Sequence, residues 1–338
     1  MSILVRALLL AGTCLLFFSK SLVAGETYSV ETMSPDEAYQ RGRLLKAQFK
    51  NREAREYLKS AADRGHGKSG YLYAMELRRT GYLQRDQRAS KDYLIRSAEQ
   101  GNRQALRYLH LRGDWLTAAE QESYQQRYFD DLIRLGATQP SLAYFLLSEF
   151  YLSVDGELSN YYLEKSMEFD FAKAYMEGAR RIERGEIDFM FAAKSERIMK
   201  QYYQQAANLD YLPALRKLVL ISEKEGNFQQ ALEWRKKALD LGDISSLISM
   251  YKIYSGSSSQ YPFVEIDRPR SLAYLMLYLE TAGDSTFSAV YRQAKVNQSE
   301  LATLASEAQM AEAKKLKIAL SEGVVFYHHD GIWEDLKY

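Results

Sequence analysis

Cysteine is almost absent from this chain of 338 residues: the one copy is Cys14. It falls in a leader-like segment, so a mature chain cut after Ala24 would contain none. That excludes disulfides, thiol nucleophiles and cysteine-based metal sites. Histidine is nearly as scarce, with His66, His110, His328 and His329 as the full set. His66 and His110 lie far apart, and only His328-His329-Asp330 forms a cluster. Adjacent histidines diverge on a regular helix or strand, so that cluster is not expected to hold an ion. A nucleophile elbow, a phosphate loop and a dinucleotide fingerprint are all missing. So is an excess of charge of either sign. The chain has 45 Lys and Arg against 44 Asp and Glu, and losing Arg6 and Lys20 with the leader leaves 43 against 44. A balanced chain lacks the basic footprint of a nucleic-acid binder and the polybasic block that anionic lipid attracts. Carboxylates alternate with Lys and Arg, as around Glu53 and Arg55-Glu56, or Glu233 and Arg235-Lys236-Lys237, which reads as solvated helix faces with weak ion pairs. The expectation is therefore no enzyme, with no catalytic residue, no cofactor-binding residue and no metal ligand.

Long apolar runs are few, and the one that matters lies at the N-terminus. Arg6 precedes Ala7–Phe18 (ALLLAGTCLLFF), which is short for a membrane span. The polar, small-residue stretch Ser19–Ala24 follows it. Residues 1–24 thus read as a cleavable signal peptide, which places the mature chain in a periplasm or outside the cell. Leu22 and Lys20 depart from the ideal cleavage pattern, which keeps anchoring through residues 1–24 as the alternative. Ala11-Gly12-Thr13 before Cys14 resembles a lipobox shifted by one residue, but the apolar run continues past the cysteine, against lipidation.

What the chain does have is a period. Seven anchor residues, each ending the second helix of a hairpin, are Gly65, Gly101, Gly136, Asp170, Asp210, Gly242 and Gly283. Eight residues before each stands a bulky side chain: Tyr57, Tyr93, Tyr128, Tyr162, Tyr202, Trp234 and Leu275. Four residues after each stands a position that is usually small: Ser69, Ala105, Pro140, Ala174, Ala214, Ser246 and, as an exception, Phe287. Bulky residues would wedge between hairpins and small ones would let helices approach. Gly or Asp would admit the left-handed turn between them. No single hairpin can bury its apolar face, so stacking makes the fold. The 26 tyrosines are expected to pack mainly between repeats with a polar tip in water.

This pattern resembles the Sel-one-like repeat, a relative of the tetratricopeptide repeat. Asp86, Ala89, Tyr93, Ser97-Ala98-Glu99-Gln100-Gly101-Asn102 and Ala105 follow its core closely. Asp267–Ala273 with Thr281–Asp284 is a second copy, and Ala231–Asp243 a third. The copies at Asp170 and Asp210 depart from it, with Asp in place of Gly. The resemblance covers roughly Tyr39 to Tyr291. It implies an all-α fold, a right-handed α-solenoid of stacked antiparallel helix hairpins, and an adaptor role. Exported members of the family are associated with envelope complexes, among them exopolysaccharide secretion, flagellar motor assembly, signalling regulators and host-factor binding. The branch with disulfide-stapled hairpins does not fit a chain without mature cysteine.

The expected layout is a signal peptide over 1–24, a linker over 25–33, an N-terminal capping helix over 34–51, about seven repeats over 52–296, a C-terminal capping helix over 297–323 and an aromatic tail over 324–338. Ser34, Pro35 and Glu37 start the first helix with a capping box, and Gly323 is placed to stop the last one. The tail either folds back on the last hairpin or serves as a docking peptide. The Ser-rich connection Tyr254–Asp267 reads as a variable loop between helices, with a partner-gripping loop as the sharper alternative. The expected function is a non-catalytic protein–protein interaction scaffold of the bacterial cell envelope, taking an envelope protein on its concave face. The second candidate is a polysaccharide held in a Tyr-rich groove. Neither nucleic acid nor membrane is an expected partner, unless the leader is retained or lipidated. The sequence assigns no partner-binding residue.

Overall fold

The computed structural model describes residues 30–80, 84–187 and 189–329. The expected signal peptide, most of the linker and the last nine residues of the tail lie outside the described residues. Among the described residues sixteen helices follow one another. They pair as α1 (Pro35–Ala47) with α2 (Asn51–Asp63), α3 (Gly67–Thr80) with α4 (Gln84–Glu99), α5 (Arg103–Arg112) with α6 (Ala118–Gly136), and α7 (Pro140–Tyr151) with α8 (Gly156–Glu168). Then come α9 (Ala172–Glu183) with α10 (Ala192–Asn208), α11 (Leu212–Lys224) with α12 (Phe228–Asp240), and α13 (Ile244–Tyr254) with α14 (Arg268–Thr281). Finally, α15 (Ser288–Leu304) and α16 (Glu307–Ser321) both pack on α14. From α1 to α15 each helix packs on its sequence neighbours, which makes the architecture an all-α solenoid of stacked hairpins.

The repeat pattern explains this packing residue by residue. Ser69, Ala105, Ala174 and Ala214 are fully buried, so a larger side chain at any of them would force helices apart. All seven bulky positions are buried or half-buried. Five anchors take left-handed backbone: Gly65, Gly101, Asp170, Asp210 and Gly242. At each of these corners the anchor's amide donates three residues back and the next amide five residues back, as in Gly65 to Ala62 and His66 to Ala61. This is the paired closure that satisfies the last carbonyls of a helix. Two anchors differ from expectation. Gly136 is the last residue of α6, and the chain turns instead through Ala137–Gln139. Gly283 is not left-handed, and its lack of a side chain serves a close approach described below.

The helix expected over 34–51 ends at Ala47, because Phe49 adopts φ +63°. A bulky residue there costs about 1 kcal/mol. The segment expected as one helix over 297–323 is two. Ala305 is extended, and Ser306 starts α16 with its own capping box to Gln309, so two orphan amides are satisfied by breaking the run.

The two ends of the array meet. The amide of Gly283 donates to the Gln48 carbonyl at 2.7 Å, that of Ser285 to the Phe49 carbonyl at 3.2 Å, and Lys50 Nζ to the Glu280 carbonyl at 3.1 Å. The Phe49 ring meets the Phe287 ring edge-on at 5.0 Å. The strained Phe49 corner is thus held by the α14–α15 corner. Residues 324–329 run back past the last hairpin to the α12–α13 corner. There the Tyr327 amide donates to the Gly242 carbonyl at 2.9 Å and the Ile244 amide to the Tyr327 carbonyl at 3.1 Å. The His328 amide donates to the Ala47 carbonyl at 2.8 Å, and Gln48 Nε2 to the Phe326 carbonyl at 2.9 Å. Ala47 and Tyr327 belong to one apolar cluster with Met176, Tyr203, Leu212 and Leu215. The first hairpin, the middle of the array and the tail therefore share a core.

Gly283 is glycine because an added Cβ would stand 2.5 Å from the Phe49 carbonyl oxygen. Gly283→Ala should force the two corners apart and lower stability by about 2 kcal/mol, as overpacking against unyielding backbone does. A chemical denaturation midpoint equal to that of the unsubstituted chain would show that the ends do not close here.

Candidate functional site

The starts of α3, α5 and α7 follow closely on the anchors Gly65, Gly101 and Gly136, so successive corners bring their next residues to one place. His66, Gly67 and Lys68 begin α3. Asn102, Arg103 and Gln104 begin α5, and Gln139 precedes α7. Together with Asp36, Tyr39 and Gln40 from α1 they line a cleft of ≈550 Å³. Arg107, Tyr128 and Glu149 form its floor, and Lys173 from the start of α9 closes the far side. Three helix N-termini thus face one space, each contributing partial positive charge. Two of them are capped by side chains: Asn102 Oδ1 accepts the Ala105 amide at 2.8 Å, and His66 Nδ1 accepts the Ser69 amide at 3.1 Å.

Four cations line the cleft, Lys68, Arg103, Arg107 and Lys173, against two carboxylates, Asp36 and Glu149. Arg103 is bound to Asp131 at 2.5 Å and Arg107 to Glu149 at 3.2 Å, while Lys173 lies over the Phe145 ring at 5.0 Å. Lys68 is exposed, and no ion pair engages it among the described residues. Tyr128 is 2% exposed, and its hydroxyl has no hydrogen-bond partner among the described residues. Burial pushes its pKa up, and the residue lines the cleft together with Arg107 and Glu149.

An Asp–His–Ser arrangement also stands at the rim. His66 Nε2 is 3.2 Å from Asp36 Oδ1, and Nδ1 is 2.9 Å from Ser69 Oγ. Ser69 is fully buried, and its own amide donates to the same Nδ1, so the ring serves as the N-cap of α3 and the hydroxyl has no access to a substrate. Burial lowers the His66 pKa, and Asp36 only partly offsets this. Among the described residues no group of three metal-ligating side chains occurs.

The other histidines are scattered. His110 sits on α5 near Phe150. The rings of His328 and His329 diverge. His328 lies against Phe49 at 5.3 Å and Phe287 at 6.3 Å, and His329 meets Tyr211 edge-on at 5.1 Å. Asp330 lies outside the described residues. In the Tyr254–Asp267 connection, Tyr261 is buried and donates its hydroxyl to Glu223 Oε1 at 2.5 Å, which Arg235 also holds at 2.7 Å. That half of the aromatic tip is anchored, while Phe263 stays 45% exposed.

Sequence reasoning assigned none of the cleft residues to a site, although it named His66, Gln100, Gly101, Asn102 and Tyr128 as histidine or repeat positions. A signal was available, since His66, Gly67, Lys68, Asn102, Arg103, Gln104, Gln139 and Lys173 stand one to three positions after an anchor.

The fold defines an α-helical repeat protein. No family model matches the chain, and no curated protein matches it. Solved structures similar to it include the following two. One is a protective antigen present in uropathogenic Escherichia coli strains displaying an SLR fold, 16% identical over 91% of this chain, with a TM-score of 0.41. The chain spans 65% of that antigen's length. The other is a Sel1 repeat protein from Oxalobacter formigenes, 17% identical, covering 83% of this chain and 86% of that one, with a TM-score of 0.39. The motif residues behind the Sel-one-like resemblance sit where such a repeat needs them. Ser97, Ala98 and Ala105 are fully buried, and Gly101 is left-handed. Among the described residues no helix is long and apolar enough to cross a membrane.

Proposed function

We propose that the chain is a non-catalytic scaffold that seats a protein partner in the cleft along α3, α5 and α7. Export to the bacterial envelope would follow from residues 1–24, on the strength of Arg6 and the Ala7–Phe18 run. The observation that carries the reading is the convergence of three consecutive helix starts on one open, polar cleft. Beside the α12–α13 corner, by contrast, the chain's own tail is already seated. The polysaccharide reading is the weaker one. Among the described tyrosines only Tyr161 is exposed, and with Phe169 it is the exposed part of a ring cluster whose other members, Tyr144, Tyr151 and Tyr162, are half-buried, which gives a Tyr-lined groove little open ring surface.

The test is a photocrosslinking amino acid placed at Gln100, at Gln139 and, as a control away from the cleft, at Glu122, all in the full chain in its native host. The expected result is one protein adduct shared by Gln100 and Gln139 and missing from Glu122. An adduct at Glu122 alone would move the partner off the cleft and overturn the reading.

A further inference from the structure

The geometry points to an acidic, extended stretch of polypeptide as the occupant of the cleft. This rests on the reading of the cleft as a partner seat, and it adds the chemistry of what sits there.

Charge comes first. Lys68 is exposed without an ion pair among the described residues, and the lining carries four cations against two carboxylates. One of those carboxylates, Asp36, is 88% exposed and turned to His66 at 3.2 Å. The other, Glu149, pairs with Arg107 at 3.2 Å across side chains that are 26% and 43% exposed. An incoming carboxylate can replace Glu149 on Arg107 at little desolvation cost, because that pair is already wet. Three helix N-termini add to the same sign of potential.

The second observation is the Tyr128 hydroxyl. It is a buried donor without an acceptor among the described residues, in the same cleft lining as the Arg107–Glu149 pair. Such a group gains a hydrogen bond once the pair opens to admit an anionic group.

The third observation favours a chain over a small ion. Gln40, Gln100 and Gln139 present exposed side-chain amides from three different helices or corners, and none of these amides is engaged by a side-chain hydrogen bond among the described residues. Amides that both donate and accept at successive corners suit the alternating N–H and C=O groups of an extended backbone.

The experiment measures binding of fluorescein-labelled decapeptides to the full chain by anisotropy. Alternating Glu-Ser, Gln-Ser and Lys-Ser peptides are compared, with the photocrosslinker at Gln100 reporting where each sits. The acidic peptide should bind about tenfold tighter than the neutral one and weaken as salt is raised. Lys68→Glu and Arg107→Glu should each remove most of that preference. Circular dichroism checks that both variants keep the fold, and Lys68→Glu is on the surface. Equal binding of acidic and neutral peptides, both crosslinked at Gln100, would overturn the acidic assignment and leave the cleft as a partner seat. Displacement of the acidic peptide by an equal concentration of succinate would reduce the site to a small-anion site and overturn the polypeptide. If no peptide crosslinks at Gln100 while the native partner crosslinks at Glu122, the cleft reading falls as well.

Discussion

Arg181→Ala is expected to lower stability by about 4 kcal/mol, because it strips a buried ionic group from partners that are buried or largely buried. Arg181 is 1% exposed on α9. Its Nη1 donates to Asn160 Oδ1 at 2.8 Å and its Nη2 to Ser148 Oγ at 3.0 Å, while Glu177 Oε1 stands 3.6 Å from Nε. The Ser159 hydroxyl donates to the Ser148 carbonyl at 2.6 Å, so the network ties α7, α8 and α9 through Ser148 and Ser159, which are fully buried, and Asn160, which is half-buried. Alanine leaves the Ser148 hydroxyl and the Asn160 amide short of a partner beside a side-chain-sized cavity. Arg181→Met fills most of the cavity and removes the charge, so about half the loss should return. Urea unfolding of both variants measures the difference. Hydrogen exchange localises it, with protection falling first in α7, α8 and α9, because each hairpin leans mainly on its neighbours. A loss below about 1 kcal/mol for Arg181→Ala would mean that water already serves these groups.

Nothing in the local sequence announces Arg181 as a core residue, and the reason is general. The periodic part of the fold was legible because it is written once per repeat. Tyr93 and Tyr128 as wedges, Ala105 and Ala214 as contacts, and Gly65 and Asp210 as turns all recur at one spacing, so local physics repeated along the chain identifies them. An arginine buried among two serines and an asparagine breaks that pattern once and has no counterpart in other repeats. The closure of the array is illegible for the same reason. Gln48 meets Phe326 across 278 positions and Lys50 meets Glu280 across 230, and no periodicity reports a contact made once at such a distance. The break at Ser306 could have been read from Ser306 and Gln309, which spell a capping box, but the run of Ala, Lys and Leu around them outweighs two residues. The cleft falls between these cases. Its corners are periodic, whereas its floor of Arg107, Tyr128 and Glu149 depends on which helix faces stack against each other.

Acidification should unlatch the tail. Burial depresses the His328 pKa to about 4 and the His329 pKa to about 3, with Arg216 adding to both and Lys173 to His329, and only Asp243 opposing this at His328. His328 Nδ1 has no hydrogen-bond partner among the described residues, and the ring lies against Phe49 and Phe287. Both rings are therefore neutral in the folded chain, whereas in the unfolded chain they take up protons near the ordinary value of 6.5. The sign follows from that difference. Stability is complete above about pH 6.5 and drains as pH falls towards 4 and then 3, because the unfolded state binds protons that the folded state refuses. With a discount for the partly solvated His328, the two rings together represent about 4 kcal/mol. Asp243 adds to the same loss only at lower pH, below its ordinary value of 3.8. Burial works against its ionisation, but Arg216 and the Ser245 and Ser246 hydroxyls outweigh burial and hold its carboxyl below the usual range. Thermal melts at pH 7, 6, 5 and 4 should show the loss, and amide exchange at Ile244, Tyr327 and His328 should show that the tail leaves first. His66 and His110 are shifted in the same direction, so the isolating comparison is the double variant His328→Phe and His329→Gln. Its profile between pH 6.5 and 4.5 should be markedly flatter than that of the unsubstituted chain. Parallel profiles would show that the two rings already reach solvent, and that the seam between tail, first hairpin and α12–α13 corner opens freely at neutral pH.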